Sequence, residues 1–405
     1  MAQTTWEVFD MSNAGFPSNN VRSIACDSQG VVWAATDWGL CRYQGSTWTI
    51  LQEGSSGLPE NNLRALAVDA DDRLWIGTTL YGLAILDGSV WTVYDVNNSP
   101  LPENEVNCIT IDHRGWAWIG TTAGLACYTG TEWRVYHDGP TSYNGLILNA
   151  NNIQSVAVGA DGLVAVGTMN GGFHYLTDTL VMVNATYINS FPDNTGMGVV
   201  VDDAVQERWL ATPANGLLRQ GGSYVGGPWF QYAPWTSGIP SASLTCLVQD
   251  ALGALWMGST LSGLISRTAA GDFLNWNTGN SDLPDDHVRC VALAPDGAIW
   301  AGTVQGGAVR FAQNVGMAGL PGFEWSLEVH PNPVKDVLWC SMAGMDGTER
   351  WTWTVHDLQG RIHSTGYSLN DGPWPIHMDG AAAGPYLLSL LSKDGHRLFA
   401  RVVKE

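Results

Sequence analysis

The chain has 405 residues, enough for a large core and more than one domain. Only 14% of it is charged, yet 18 Lys and Arg stand against 38 Asp and Glu, a net charge of −20. That balance excludes electrostatic capture of nucleic acid or of an anionic lipid surface, and no apolar run approaches a membrane span. No signal peptide is visible, and the opening Met1-Ala2-Gln3 is read as a mature end behind an added Met.

Taken in chain order, the first strand predicted is Thr5–Phe9, an outer-strand pattern with no unit ahead of it. A full unit follows, as Val21–Asp27, Val31–Thr36, Gly39–Tyr43 and Trp48–Leu51, four short runs separated by turn residues. A connector, Leu58-Pro-Glu-Asn-Asn62, leads into the next unit and recurs as Phe16–Asn20, Leu101–Glu105 and Leu283–His287. The second run carries a Trp-Ile-Gly-Thr-like segment seven times, starting at Trp33, Trp75, Trp118, Ala165, Trp209, Trp256 and Trp300, at gaps of 42, 43, 47, 44, 47 and 44 residues. That period is the length of a four-stranded propeller blade. The fourth unit diverges, with Ala165 for Trp and Leu180–Val183 as its outer run, and the fifth has an unusual loop at Gly221–Gly227.

The last unit stops after Gly307–Phe311 and lacks its fourth strand. Joined to Thr5–Phe9 it would complete a seventh blade and leave no open sheet edge there. The expected fold is all-β: a seven-bladed propeller over residues 1–311, closed by the N-terminal strand, a linker at 312–323, and a small Ig-like β-sandwich over 324–405. The seven cysteines are odd in number and carry no tight spacing, so no disulfide framework or metal centre is expected. Cys108, Cys246 and Cys290 share one repeat position with Ser23, Ala65 and Ser155 and read as small buried residues.

The units Asp69–Leu83 and Asp112–Leu125 carry an Asp-x-x-Gly-x-Leu-Trp-Ile-Gly-Thr-x-x-Gly-Leu-like pattern, and residues 4–312 resemble the two-component regulator propeller repeat. In that family the repeats form periplasmic sensor regions ahead of a membrane span and a kinase, which are not seen in this sequence. The tail resembles the C-terminal sorting domain of the type IX secretion system. Pro331-Asn332-Pro333, Val355 through Arg361, Gly384 with Tyr386, Asp394-Gly395 and Val402-Val403-Lys404 carry that resemblance, with Pro385 a mild departure. It implies export, recognition by the type IX machinery, and a secreted or outer-membrane-surface location after removal of a signal peptide.

In a propeller the first strands line the axis, and the second-to-third turns share a rim with the connectors between blades. The residue just inside each first strand is Arg22, Arg64, Asn107, Gln154, Gly198, Thr245 and Arg289, which sets three arginines on adjacent blades. Like charges about 8 Å apart repel by roughly 2 kcal/mol at an effective dielectric near 20. The cluster therefore calls either for an acidic partner, with Glu60, Glu103, Asp285 and Asp286 near at hand, or for an anionic ligand such as a uronic acid, sulfate or carboxylate. Trp38 and Tyr81, at turn tips of the first two blades, are candidates for stacking on a sugar or on an aromatic side chain. His287 alone among the histidines reaches the mouth. The expected function is an exported, non-enzymatic propeller that binds a glycan, peptide or protein at this rim, using Arg22, Arg64, Arg289, Asn107, Trp38, Tyr81 and His287, with no cofactor. Two alternatives remain open: a self-assembling adhesive subunit, and a lyase resembling the streptogramin lyases, with His287 as base and Glu105 helping to hold a metal.

Overall fold

The computed structural model of the protein describes residues 4–177, 181–184, 193–203, 206–221, 228–250, 252–313, 326–330, 334–343, 351–357, 362–368, 374–382, 384–392 and 397–404. The chain divides into two compact units, Thr5–Ala312 and a second that holds Gln313–Glu405. The protein is all-β, with a single short 3-10 turn at Tyr143–Gly145 among the described residues.

Thr5–Ala312 carries seven four-stranded sheets among its described residues. In six of them the strands follow chain order. The seventh takes Val288–Leu293, Ile299–Thr303 and Ala308–Gln313 and then the N-terminal strand Thr4–Phe9 as its outer member. Trp6 packs on Phe311 with ring centroids 4.5 Å apart, and Arg310 Nη1 donates to Glu7 Oε1 at 2.9 Å.

Burial is greatest in the second strands and falls toward the outer ones. The second strands, such as Val32–Thr36, Leu74–Thr78 and Ala117–Thr121, are buried at every residue, as expected of sheets covered on both faces by neighbouring blades. The outer strands, such as Thr47–Leu51 and Val90–Tyr94, alternate between exposed and half-buried. The first strand ends at Cys26, one residue short of the predicted Asp27. The Asp27 carboxylate instead accepts the backbone N–H of Gln29 at 3.0 Å and of Val31 at 2.8 Å, which turns the chain into the next strand.

That aspartate has a second task in three blades. Asp69, Asp112 and Asp250 each accept the indole N–H of the second-strand tryptophan, Trp75 at 2.8 Å, Trp118 at 3.1 Å and Trp256 at 2.9 Å. The lock fixes the ring between blades and satisfies its only polar atom. Blade four has lost both halves together, with Gly159 and Ala165 at these positions.

The second unit contains a three-stranded sheet of Ser326–His330, Val337–Ala343 and Trp374–His377, and a four-stranded sheet of Ile362–Ser368, Trp351–Asp357, Gly384–Ser392 and Arg397–Lys404. Leu338, Cys340 and Ile376 of the first share one core with Trp351, Val355, Leu388, Leu390 and Val402 of the second. Pro331-Asn332-Pro333, Arg361 and Asp394-Gly395, like most of the expected linker, lie outside the described residues. No helix among the described residues is long and apolar enough to cross a membrane.

Candidate functional site

The site is built by an irregularity that recurs. In six of the seven first strands the ladder to the second strand skips one residue, between Val21 and Ser23, Leu63 and Ala65, Val106 and Cys108, Ile153 and Ser155, Leu244 and Cys246, and Val288 and Cys290. The skipped residues are Arg22, Arg64, Asn107, Gln154, Thr245 and Arg289. A bulge leaves its extra residue unpaired and re-aims its side chain. Two of those side chains bond the backbone of the next blade: Asn107 Nδ2 donates to Ile153 O at 3.0 Å and Thr245 Oγ1 to Val288 O at 2.5 Å. Blade five has Gly198 instead and pairs regularly.

Three arginines gather on this ring, and their surroundings differ. Arg64 is neutralised: Nη1 pairs with Glu105 Oε1 at 2.9 Å and Nη2 donates to Asn107 Oδ1 at 2.9 Å. Arg22 and Arg289 form no hydrogen bond or ion pair among the described residues, and the Nε of each is buried without an acceptor. Burial, and then the positive charges of Arg289 and Arg64, hold the Arg22 guanidinium below its usual pKa, with Asp37 and Glu105 acting in opposition.

The carboxylates expected to neutralise the cluster are spent elsewhere. Glu60 Oε2 accepts the backbone N–H of Thr79 at 3.0 Å and of Leu80 at 2.9 Å. Glu103 accepts from its neighbour Asn104 at 2.7 Å. Asp285 accepts the N–H of His287 at 3.0 Å and of Gln305 at 2.8 Å, and Asp286 that of Thr278 at 2.7 Å. Turn amides at a bend outcompete a guanidinium further off. Glu105 supplies the one ion pair in the cluster among the described residues. Among the described residues no group of three or more His, Cys, Asp and Glu stands together as a metal set. His287 is half-buried, and burial followed by the charge of Arg289 lowers its pKa.

The cysteines at the neighbouring repeat position are half-buried rather than fully buried. Their thiols lie against the second-strand glycine, with Gly258 N–H donating to Cys246 Sγ at 3.3 Å.

Above the mouth, the second-to-third turns of blades two, five, six and seven are stitched to the connectors beside them by backbone hydrogen bonds. Gly82 N donates to Asn104 O, Gly216 N to Ala242 O, Gly263 N to Asp286 O and Gly307 N to Asn19 O, at 2.8 to 3.2 Å. These glycines hold φ between +74° and +79°, and a Cβ at any of them would drive into the carbonyl oxygen of the outer strand. Trp38 and Tyr81 stand on this rim with 61% and 51% of their surface exposed, so neither is packed away under a connector.

The two component regulator propeller family profile matches residues 15–38, 57–79 and 100–123. No curated protein matches the chain. Among solved structures, the extracellular domain assigned to a hybrid two-component system of B. thetaiotaomicron aligns at TM-score 0.67 and 17% identity, over 100% of this chain and 58% of that one. PorZ, an essential surface component of the type-IX secretion system of Porphyromonas gingivalis, aligns at 0.60 and 18%, over 98% and 60%. Virginiamycin B lyase from Staphylococcus aureus aligns at 0.58 and 13%, over 76% and 99%. The chain therefore spans about three fifths of the length of the first two. At these identities the likeness is one of fold: a β-propeller shared with extracellular domains and with a lyase.

Proposed function

We propose that this chain is an exported binding propeller whose ligand seats an anionic group at the mouth over blades seven, one and two. The observation that carries the reading is the pair Arg22 and Arg289, two partly buried guanidinium groups that make no hydrogen bond or ion pair among the described residues although Asp37 and Glu105 favour the Arg22 charge from further off, beside an Arg64 that is ion-paired. Bringing like charges together without a partner costs stability, and an incoming carboxylate or sulfate would recover it through charge-assisted hydrogen bonds. Arg64 and Asn107 form the fixed wall of the site, His287 lies beside Arg289, and Trp38 and Tyr81 offer exposed rings above. Glucuronate or sulfate at millimolar concentration is expected to raise the melting temperature of the wild type and to leave that of Arg22→Gln/Arg289→Gln unchanged. An equal shift in both proteins would refute the anion site.

Export is part of the same proposal. Two packed sheets end the chain, and the sorting-domain resemblance of its motifs supports delivery by the type IX machinery to the surface or the medium. Deleting residues 324–405 in a host with that system is expected to hold the propeller in the periplasm. Unimpaired secretion of the truncated chain would remove this reading.

A further inference from the structure

Exposed apolar side chains on the propeller are distributed unevenly. Among the described residues of this unit, nine of the twelve large ones lie on the rim made by the second-to-third turns and the connectors. Three are aromatic: Trp38, Tyr81 and Trp235. Six are aliphatic or thioether: Met11, Leu80, Val96, Ile147, Met169 and Leu261, with Leu261 81% exposed. Among the described residues the opposite rim has only Val90, at a third-to-fourth turn, and the outer strands only Phe230 and Leu274.

Collars of this kind mark interaction surfaces. Its make-up points to the kind of partner. Sugars stack on flat aromatic faces, and aliphatic side chains give them little, whereas protein contacts use Leu, Ile and Met freely. The collar also draws on the turns of four blades and on four of the connectors, a spread that suits a protein contact of some twenty to thirty residues rather than one sugar chain. At its centre stand Arg22 and Arg289 without acceptors. We infer that the occupant of this rim is a protein that lays an apolar surface on the collar and inserts an Asp or Glu side chain between Arg22 and Arg289. This rests on the mouth reading above and narrows its ligand to an acidic, apolar polypeptide segment.

The test uses the intact chain. Selection of displayed random dodecamer peptides is expected to enrich Asp or Glu beside Leu, Ile, Phe or Trp. Binding of the selected peptides should weaken at least tenfold in Leu80→Ser/Trp235→Ser/Leu261→Ser, and at least tenfold in Arg22→Gln/Arg289→Gln. Circular dichroism checks that both variants keep the fold. Absence of enrichment, or enrichment of basic or neutral peptides, overturns the inference. Acidic oligosaccharides that bind on a glycan array through the arginines, and are indifferent to the rim variant, overturn the protein partner and leave the mouth standing. Peptides that need the rim and not the arginines overturn the acidic insertion and the mouth together. Dimerisation of the wild type in light scattering, lost in the rim variant, makes the occupant a second copy and overturns a foreign partner.

Discussion

Two buried side chains in blades four and five depart from what their neighbours in the repeat do. Arg208 precedes the second-strand tryptophan of blade five, where the other blades carry Val32, Leu74, Ala117, Val164, Leu255 and Ile299. It is 3% exposed, with Nε and Nη1 buried without acceptors and its guanidinium 5.6 Å from the Tyr175 ring centre. A buried charge without good partners is worth less than an apolar side chain of similar size, so Arg208→Leu should stabilise the protein by about 1–3 kcal/mol, read as a higher urea midpoint. A lower midpoint would show that the guanidinium holds blades four and five together. His174 is wholly buried; Nε2 accepts the Asn149 N–H at 3.0 Å, and burial pushes its pKa down to about 4. The unfolded chain protonates first, near pH 6.5. Stability is therefore lost as the pH falls from about 6.5 toward 4, and by pH 4.5 the loss from this group is about 2–3 kcal/mol. His174→Gln should be spared that share of the loss between pH 7 and 4.5; identical losses would show that His174 does not titrate as described.

Within a blade, the Asp–Trp lock and the rim glycines do the positioning. Asp250→Ala leaves the Trp256 N–H buried without an acceptor and frees the amides of Leu252 and Ala254 that it capped. The cost should be about 2–4 kcal/mol, seen in urea unfolding; a change under about half a kcal/mol would sink the lock. Strand boundaries were readable because hydrophobic period and turn residues repeat with the blade, and so was the meeting of Arg22, Arg64 and Arg289. What the arginines bond to was not. Glu60 and Glu105 look alike in a connector, and only the bend of the chain decides that one caps Thr79 and Leu80 while the other reaches Arg64. The bulge escaped notice because it leaves residue type unchanged. The apolar collar escaped it because Leu80, Trp235 and Leu261 share neither type nor repeat position. Arg208 could have been found by aligning the units, since a charge at an otherwise apolar position is visible in the letters alone.

At the scale of the whole molecule, blade seven draws its strands from opposite ends of the propeller unit. Removing residues 1–12 takes the outer strand from Ala308–Gln313 and uncovers Phe311, which is fully buried. The shortened chain should melt well below the full one and aggregate in light scattering, and a peptide of residues 1–12 added in excess should reverse both. A truncated chain with unchanged melting would mean that this strand contributes little. The stitched rim has a different bearing. The amides of Trp38, Leu80 and Tyr81 are already committed, to Thr36 Oγ1, Glu60 Oε2 and Thr78 Oγ1, and glycine supplies the curvature, so the exposed apolar side chains of the rim carry little share of the fold. Residues such as Trp38, Leu80 and Leu261 can be exchanged one by one at little structural cost. The rim is thus a surface on which recognition can be rewritten over generations, or by a protein engineer, while the scaffold beneath stays the same.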